Sequence, residues 1–302
     1  MNFDIIILTY NSGKKIKRLL EGVITQSLKP QKIIVIDSSS FDDTVKIAQR
    51  YGCDVKIIRK EDFDHGGTRT YGAKLSDAEF LIYLTDDVKL YDNHSFENLI
   101  SFFKDEKIAA VFGRQIPYED TNIFGKHLRY FNYPDFDYLR SYQEKSKYGI
   151  KTAFLSDSFC AYRKKAIEEV GYFKEKLILG EDTYIGAKLL MAGYKLAYSS
   201  KAIVYHSHNY TAFDEFKRYF DIGVFHKKEN WILNEFGKAE NEGKRYIISG
   251  IKFLTDNNSF FLIPFFIFRS FLKYLGYKLG YNYQKLPVFI IKHISMHKSY
   301  WT

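Results

Sequence analysis

Cysteine is scarce. The 302-residue chain holds two, Cys53 and Cys160, with no CxxC pair and no Cys/His spacing of a metal site. Two isolated thiols point to a reducing compartment rather than to a disulfide framework. A run of 18 or more uncharged apolar residues is also missing. The nearest candidate, Phe260 to Phe268, contains Pro264 and stops at Arg269, which argues against a spanning helix. The opening Met1-Asn2-Phe3-Asp4 has neither a basic region nor a small-residue cleavage site, so no signal peptide is expected. Internal repeats and low-complexity tracts are absent as well.

What is present is a foldable, basic, aromatic chain. Hydrophobic residues make up 46%, enough for a sizeable core and too many for wholesale disorder. The length allows one large domain with an appendage, or two domains. A net charge of +9 from 45 Lys+Arg favours an anionic partner: a phosphorylated substrate, an acidic membrane face or nucleic acid. Aromatics reach 18%, with 27 Phe and 25 Tyr, which compositional bias and function explain equally well.

Periodicity orders the first two thirds. Residues 3–8 read as a buried strand, followed by a turn at Asn11-Ser12-Gly13. Ile16, Leu19, Leu20, Val23 and Ile24 have helical spacing. Further strands are predicted over 32–36, 53–58 and 79–84, with a helix capped by Ser40 or Asp42 and another over 68–75. This alternation predicts an α/β domain with a mainly parallel sheet. Residues 117–150 read as a long functional loop with short helices, 152–162 and 195–205 as strands, and 182–192 as a helix ended by Gly193. Composition changes after Asn209, dividing the chain into 1–212 and 213–302. The second part predicts a helix over 213–235, a polar link over 238–244, and an aromatic, basic stretch from Tyr246.

Several residues carry chemistry. Asp86-Asp87 ends the apolar run 79–84, where two adjacent carboxylates call for a divalent cation on a polyphosphate, Mg²⁺ or Mn²⁺. Asp37, at another strand end, can accept from a pyrimidine or ribose, or close its own turn. His65-Gly66-Gly67-Thr68-Arg69 offers close backbone approach, a helix N-terminus and a guanidinium fork for a diphosphate. Glu181-Asp182 opens a helix, where acids also suit the macrodipole. His206 and His208 follow the last strand, where neutral imidazoles can complete a metal shell or bond to diphosphate. Arg114 and Gln115 are candidates for a sugar pocket.

Taken in order, Ile7-Leu8-Thr9-Tyr10-Asn11, Val35-Ile36-Asp37-Ser38-Ser39-Ser40 and Leu84-Thr85-Asp86-Asp87 resemble glycosyltransferase family 2, over roughly residues 1–210. Phe63-Asp64-His65-Gly66-Gly67-Thr68-Arg69, Gly113-Arg114-Gln115-Ile116-Pro117 and Val204-Tyr205-His206-Ser207-His208 are similar to its bacterial rhamnosyltransferase branch. The resemblance implies a GT-A fold and an inverting transfer from a nucleoside-diphosphate sugar, dTDP-L-rhamnose for this branch. It implies donor contacts at Thr9, Asn11, Asp37 and Ser39, a ribose contact at Asp86, a metal ligand at Asp87, a general base at Asp182 and support from Glu181. The acceptor is then a surface polysaccharide or a lipid-linked glycan, and the place the cytoplasmic face of a bacterial inner membrane. A UDP-hexose transferase of the same family is the alternative donor reading. A non-catalytic sugar- or nucleic-acid-binding protein is the alternative of another class, although no nucleic-acid motif occurs. The aromatic, basic C-terminal stretch suits a helix lying on an anionic membrane, or one packed on the core or on another subunit of a homo-oligomer.

Overall fold

The computed structural model describes residues 1–238 and 241–301. The alternation continues from β1 (Phe3–Thr9), α1 (Gly13–Ile24), β2 (Ile33–Asp37), α2 (Thr44–Arg50) and β3 (Asp54–Ile57) into α3 (His65–Leu75), β4 (Phe80–Thr85) and β5 (Lys89–Leu90). Next come α4 (Ser95–Ile100), β6 (Ile108–Ile116), α5 (Ile123–Asn132), β7 (Tyr138–Arg140), α6 (Lys145–Tyr148), β8 (Phe159–Arg163) and α7 (Lys164–Glu169). Then α8 (Glu181–Met191) and β9 (Lys195–Tyr205) precede five helices: α9 (Ala212–Lys228), α10 (Asn230–Phe236), α11 (Glu242–Asp256), α12 (Ile263–Tyr281) and α13 (Val288–Ile294).

The strands form one sheet in the order β3-β2-β1-β4-β8-β6-β9-β5, with β7 joining β9. The block β3-β2-β1-β4 is parallel, as continuous apolar strands predict. β8 enters antiparallel between β4 and β6, while β6 and β9 are parallel. The sheet is therefore mixed, covered on both faces. Side-chain alternation divides β1: Phe3, Ile5 and Ile7 pack with α1 and α4, and Ile6 with α3 and α8. Phe220, Val224 and Phe225 of α9 join the Ile6 side, so the C-terminal helices share a core with the sheet.

Three segments differ from their predicted form. Within 117–150, β7 is a strand, and Tyr138 stacks on Tyr198 of β9 with centroids 4.8 Å apart. Of the strand predicted over 152–162 only the part from Phe159 is strand, and it runs on to Arg163; the Thr152 hydroxyl bonds Gly149 O at 2.8 Å and closes a tight turn instead. The helix predicted over 213–235 breaks at Glu229 (φ −102°, ψ 40°), whose carboxylate accepts from Lys174 and Trp231. The polar link predicted over 238–244 falls partly on residues 239–240, outside the described residues.

Candidate active site

The carboxyl ends of β1, β2 and β4 meet along one edge because these strands are parallel and in register: Thr9 lies beside Asp37, and Leu8 beside Thr85. Ligands of open α/β sheets bind outside this edge. A cavity of about 1220 Å³ opens there, with Thr9, His65, Arg69 and Asp86 in its lining.

One corner is held rigid from within. The Asp37 carboxylate, wholly buried, accepts from Thr9 Oγ1 (2.8 Å), Ser40 N (2.7 Å) and Ser40 Oγ (2.6 Å). Asn11 N–H donates to Ser40 Oγ at 2.8 Å, and Asn11 Oδ1 accepts from Phe41 N at 3.1 Å. The Ser39 hydroxyl donates to Ile58 O at 2.8 Å. Asn11 and Ser39 both take left-handed backbone, φ 50° and 59°, a strain that this network holds in place. Asp37 thus closes its own turn, and its carboxylate faces inward rather than into the cavity.

The second corner carries the acidic pair. Asp86 accepts from the Ser12 hydroxyl; burial pushes its carboxyl up, opposed by Ser12 and Lys15. Asp87 Oδ1 lies 3.4 Å from His206 Nε2, and one ligand atom from each of Asp87, His206 and His208 falls within 4.8 Å of the others. Burial raises the Asp87 carboxyl, but the hydrogen bond and charge of His206 more than offset it and hold Asp87 below the usual range. Burial acts on His206 in the opposite sense, favouring its neutral form. These two shifts conflict, since a neutral His206 supplies no charge to Asp87. Burial favours the neutral ring, and the hydrogen-bond network fixes which of its nitrogens carries the proton. Gln115 Oε1 accepts from Arg129 (2.7 Å), and Gln115 Nε2 donates to Ser156 Oγ (2.8 Å), which fixes the amide's orientation. His206 Nδ1, 2.8 Å from that same Oε1, must then be the protonated nitrogen. A neutral ring so arranged turns the Nε2 lone pair toward the Asp87 carboxylate. Two acceptors facing each other is the donor set of a cation, and a carbonyl behind the imidazole is the usual second partner of a metal-bound histidine.

Gln115, expected in a sugar pocket, instead stands behind His206; Gln115, Arg114, Asp87, His206, His208 and Asp182 all lie outside the lining of the cavity described above. Residues alternate along β6: Gln115 is buried, while Arg114 keeps partial exposure and a buried Nε without a hydrogen-bond partner.

The third corner lies at the start of α3. Gly66 and Gly67 amides, expected on a diphosphate, donate instead to the Asp64 carboxylate at 3.2 and 3.0 Å, a helix N-cap. The same carboxylate accepts from Lys176 N at 2.9 Å. A side chain at Gly66 would strike Lys174 O, so the glycine serves close packing of α3 on residues 174–176. The Arg69 guanidinium, likewise expected on the diphosphate, is buried between two carboxylates: Nε is 2.9 Å from Asp157 Oδ2, and Nη1 is 2.6 Å from Glu181 Oε1. Asp182 is the next residue on α8 and is partly exposed. Burial, then the charges of Glu181 and Asp157, push its carboxyl well up, to about 8. Arg69 counters this only in part.

Two contributors had no clear signal in the sequence. Asp157 lies in a Ser-flanked loop before β8, a pattern common to turns. His297, Ser299 and Tyr300 return from the far end of the chain to line the cavity. Asp221 of α9 positions that return by accepting from Ser295 Oγ (2.7 Å), Met296 N (3.0 Å) and His297 N (3.0 Å). The His297 ring then meets His65 edge-on at 6.1 Å.

The cavity thus lies at parallel strand ends, with Asp87 next to its lining residue Asp86, and Asp182 next to Glu181, the partner of its lining residue Arg69. Residues 4–171 match the family model of glycosyl transferase family 2, and the chain belongs to that family and is a glycosyltransferase. It is 46% identical to the O-antigen chain rhamnosyltransferase RfbN of Salmonella typhimurium, over 100% of this chain and 96% of that protein. It is 42% identical to the O-antigen chain rhamnosyltransferase WbaN of Salmonella anatum, over 99% and 96% respectively. Among solved structures, the mannosyltransferase PcManGT of Pyrobaculum calidifontis, in complex with GDP-Man and Mn²⁺, superposes with TM-score 0.65 at 13% identity, covering 94% of this chain and 88% of that one. S. aureus TarS 1–349 in complex with UDP-GlcNAc gives TM-score 0.57 at 17% identity, covering 98% and 84%. These two likenesses establish the GT-A fold.

Proposed function

We propose that this chain transfers L-rhamnose from dTDP-L-rhamnose, with inversion at C1, to a growing O-antigen glycan or its lipid-linked precursor. The observation that carries the chemistry is the opposition of His206 Nε2 and Asp87 Oδ1 at 3.4 Å, with Nδ1 committed to Gln115. That donor set fits Mg²⁺ or Mn²⁺ held by Asp87 and His206, with His208 in reach. When bound, such a cation neutralises charge on the departing diphosphate. The choice of sugar and acceptor follows the two full-length rhamnosyltransferase relatives.

The chain's own residues do the rest. Thr9, Asp37 and Asn11 hold the nucleoside corner in one conformation, so that little ordering is left for binding. Asp182 takes the proton of the acceptor hydroxyl as that oxygen bonds to C1 and the C1–diphosphate oxygen bond breaks on the opposite face. Glu181, held by Arg69, stays ionised and keeps the Asp182 carboxyl basic. The products are the glycoside and dTDP.

Calorimetric titration of dTDP-L-rhamnose, UDP-glucose and UDP-galactose, each with Mn²⁺, with Mg²⁺ and with chelator, tests the reading. Preference for the dTDP donor that vanishes with chelator is expected. Preference for a UDP-sugar would overturn the donor assignment and leave the site intact, whereas chelator-insensitive binding would overturn the metal assignment.

A further inference from the structure

Helix α12 is built inside out. Phe266 is buried against Phe124 and Leu254, but the rest of its buried stripe is Arg269, Lys273, Gly276 and Gly280, at helical spacing. Glu215 of α9 meets both cations, with Oε2 2.9 Å from Arg269 Nε and Oε1 3.1 Å from Lys273 Nζ. Arg269 also donates to Tyr210 O at 2.9 Å, and Lys273 to the Tyr246 hydroxyl at 2.7 Å. Gly276 and Gly280 lie against the Phe216 and Phe220 backbone, where any side chain would collide. Charge pairing and backbone contact thus dock this helix on α9, and three of its four Phe residues face outward. Phe265, Ile267, Phe268, Phe271 and Tyr274 run along the other side, 40–59% exposed. Phe261 in the preceding turn is 68% exposed. A large contiguous aromatic stripe on a surface marks a contact that a folded monomer leaves unmade.

The charge carried by this end of the chain says what makes that contact. From residue 257 to the end the chain has six Lys+Arg and no Asp or Glu. Glu215 pairs with two of them and offsets one charge, and Lys278, Lys285, Lys292 and Lys298 are exposed. A second copy docked here would bring the same uncompensated lysines against their like. Anionic headgroups complement them, and Phe and Tyr rings suit the boundary just below the headgroups.

We infer that the outward stripe of α12 seats the enzyme on an anionic lipid surface, with the helix lying in the plane of that surface. Residues Phe260–Tyr281 are long and apolar enough to cross a membrane by length and composition. A crossing would carry the Glu215–Arg269–Lys273 cluster into hydrocarbon, or break it, and α9 could not follow without leaving the core beneath the sheet. This docking is independent of which sugar the enzyme transfers.

The test is sedimentation of the full chain with vesicles of phosphatidylcholine alone and of phosphatidylcholine with phosphatidylglycerol, at low and high salt. The variants Phe268→Ser/Phe271→Ser and Lys278→Glu/Lys285→Glu run in parallel, each checked by thermal melting. The intact chain is expected to bind the anionic vesicles, to weaken with salt, and to be released by alkaline carbonate. Each double variant is expected to lose about tenfold or more in partitioning with its melting unchanged. Several outcomes would overturn the inference: an intact chain that ignores both vesicle types, variants that bind as the intact chain does, or retention through carbonate. A lipid-free dimer that the Phe variant dissociates would assign the stripe to a second copy instead.

Discussion

Replacing Gln115 by Leu puts the metal reading at risk through a residue that does not itself reach the metal. The change removes the whole side-chain amide and with it three hydrogen bonds: from His206 Nδ1 at 2.8 Å and from Arg129 at 2.7 Å to its oxygen, and from its nitrogen to Ser156 Oγ at 2.8 Å. His206 then loses the partner that fixes its tautomer and points its Nε2 lone pair at Asp87. Loss of such an outer partner weakens metal binding about 10- to 100-fold, which corresponds to about 1.4–2.7 kcal/mol. Leaving a buried donor unpaired costs about 1–3 kcal/mol, so folding stability should fall by a similar amount. Gln115→Glu keeps an acceptor in place and should retain affinity. The assay is Mn²⁺ titration of the intact chain, followed by electron paramagnetic resonance in the presence of dTDP, with melting recorded on the same samples. A Leu variant that melts lower but binds Mn²⁺ as tightly as the parent would refute the reasoning. His206 would then be a protonated partner of Asp87 and no ligand.

Other consequences concern the acid cluster and the tail. Asp182→Asn should lower turnover by about 10²–10⁴-fold with donor affinity nearly intact, measured by initial rates beside calorimetry; unchanged turnover would remove Asp182 as base. Because its carboxyl is raised to about 8, it holds its proton below that pH and accepts one only above it. The pH profile of kcat/KM should therefore rise through that region, and the rise should vanish in the Asn variant. Arg69→Met leaves Asp157 and Glu181 buried without their cation and should cost about 3–5 kcal/mol in denaturant unfolding; a variant of parental stability that loses donor affinity would return Arg69 to the diphosphate. His297→Ala should raise the donor KM several-fold with little change in melting, and an unchanged KM would exclude the tail from the working cavity.

The parallel half of the sheet was legible because its strands are continuous apolar runs, and because strand ends in one direction gather whatever polar residues follow them. Thr9, Asp37 and Asp86 could be placed on one edge for that reason alone. Pairing between distant segments was not legible. Nothing near β8 announces that it enters antiparallel between β4 and β6, since its Phe-Cys-Ala-Tyr run suits either direction. Gly66-Gly67 reads as a phosphate cradle until the Asp64 carboxylate is seen to hold its amides. Arg69 reads as a free fork until Glu181, 112 residues away, is found beside it.

The amino-acid order by itself determined which residues are chemically able to act: adjacent carboxylates at a strand end, acids at a helix start, a pair of imidazoles after the last strand. Local propensity and side-chain chemistry suffice for that, since each is a property of a few consecutive residues. The tertiary structure decided which of those groups are free to meet a ligand and which are already spent on each other. Gln115 became the support of His206, and Arg69 the counterion of the acid cluster. The aromatic face of α12 turned outward because Glu215, 54 residues earlier in the chain, holds its cations. Such choices depend on the burial and satisfaction of charges contributed by distant segments, and they exist only once the chain has closed on itself.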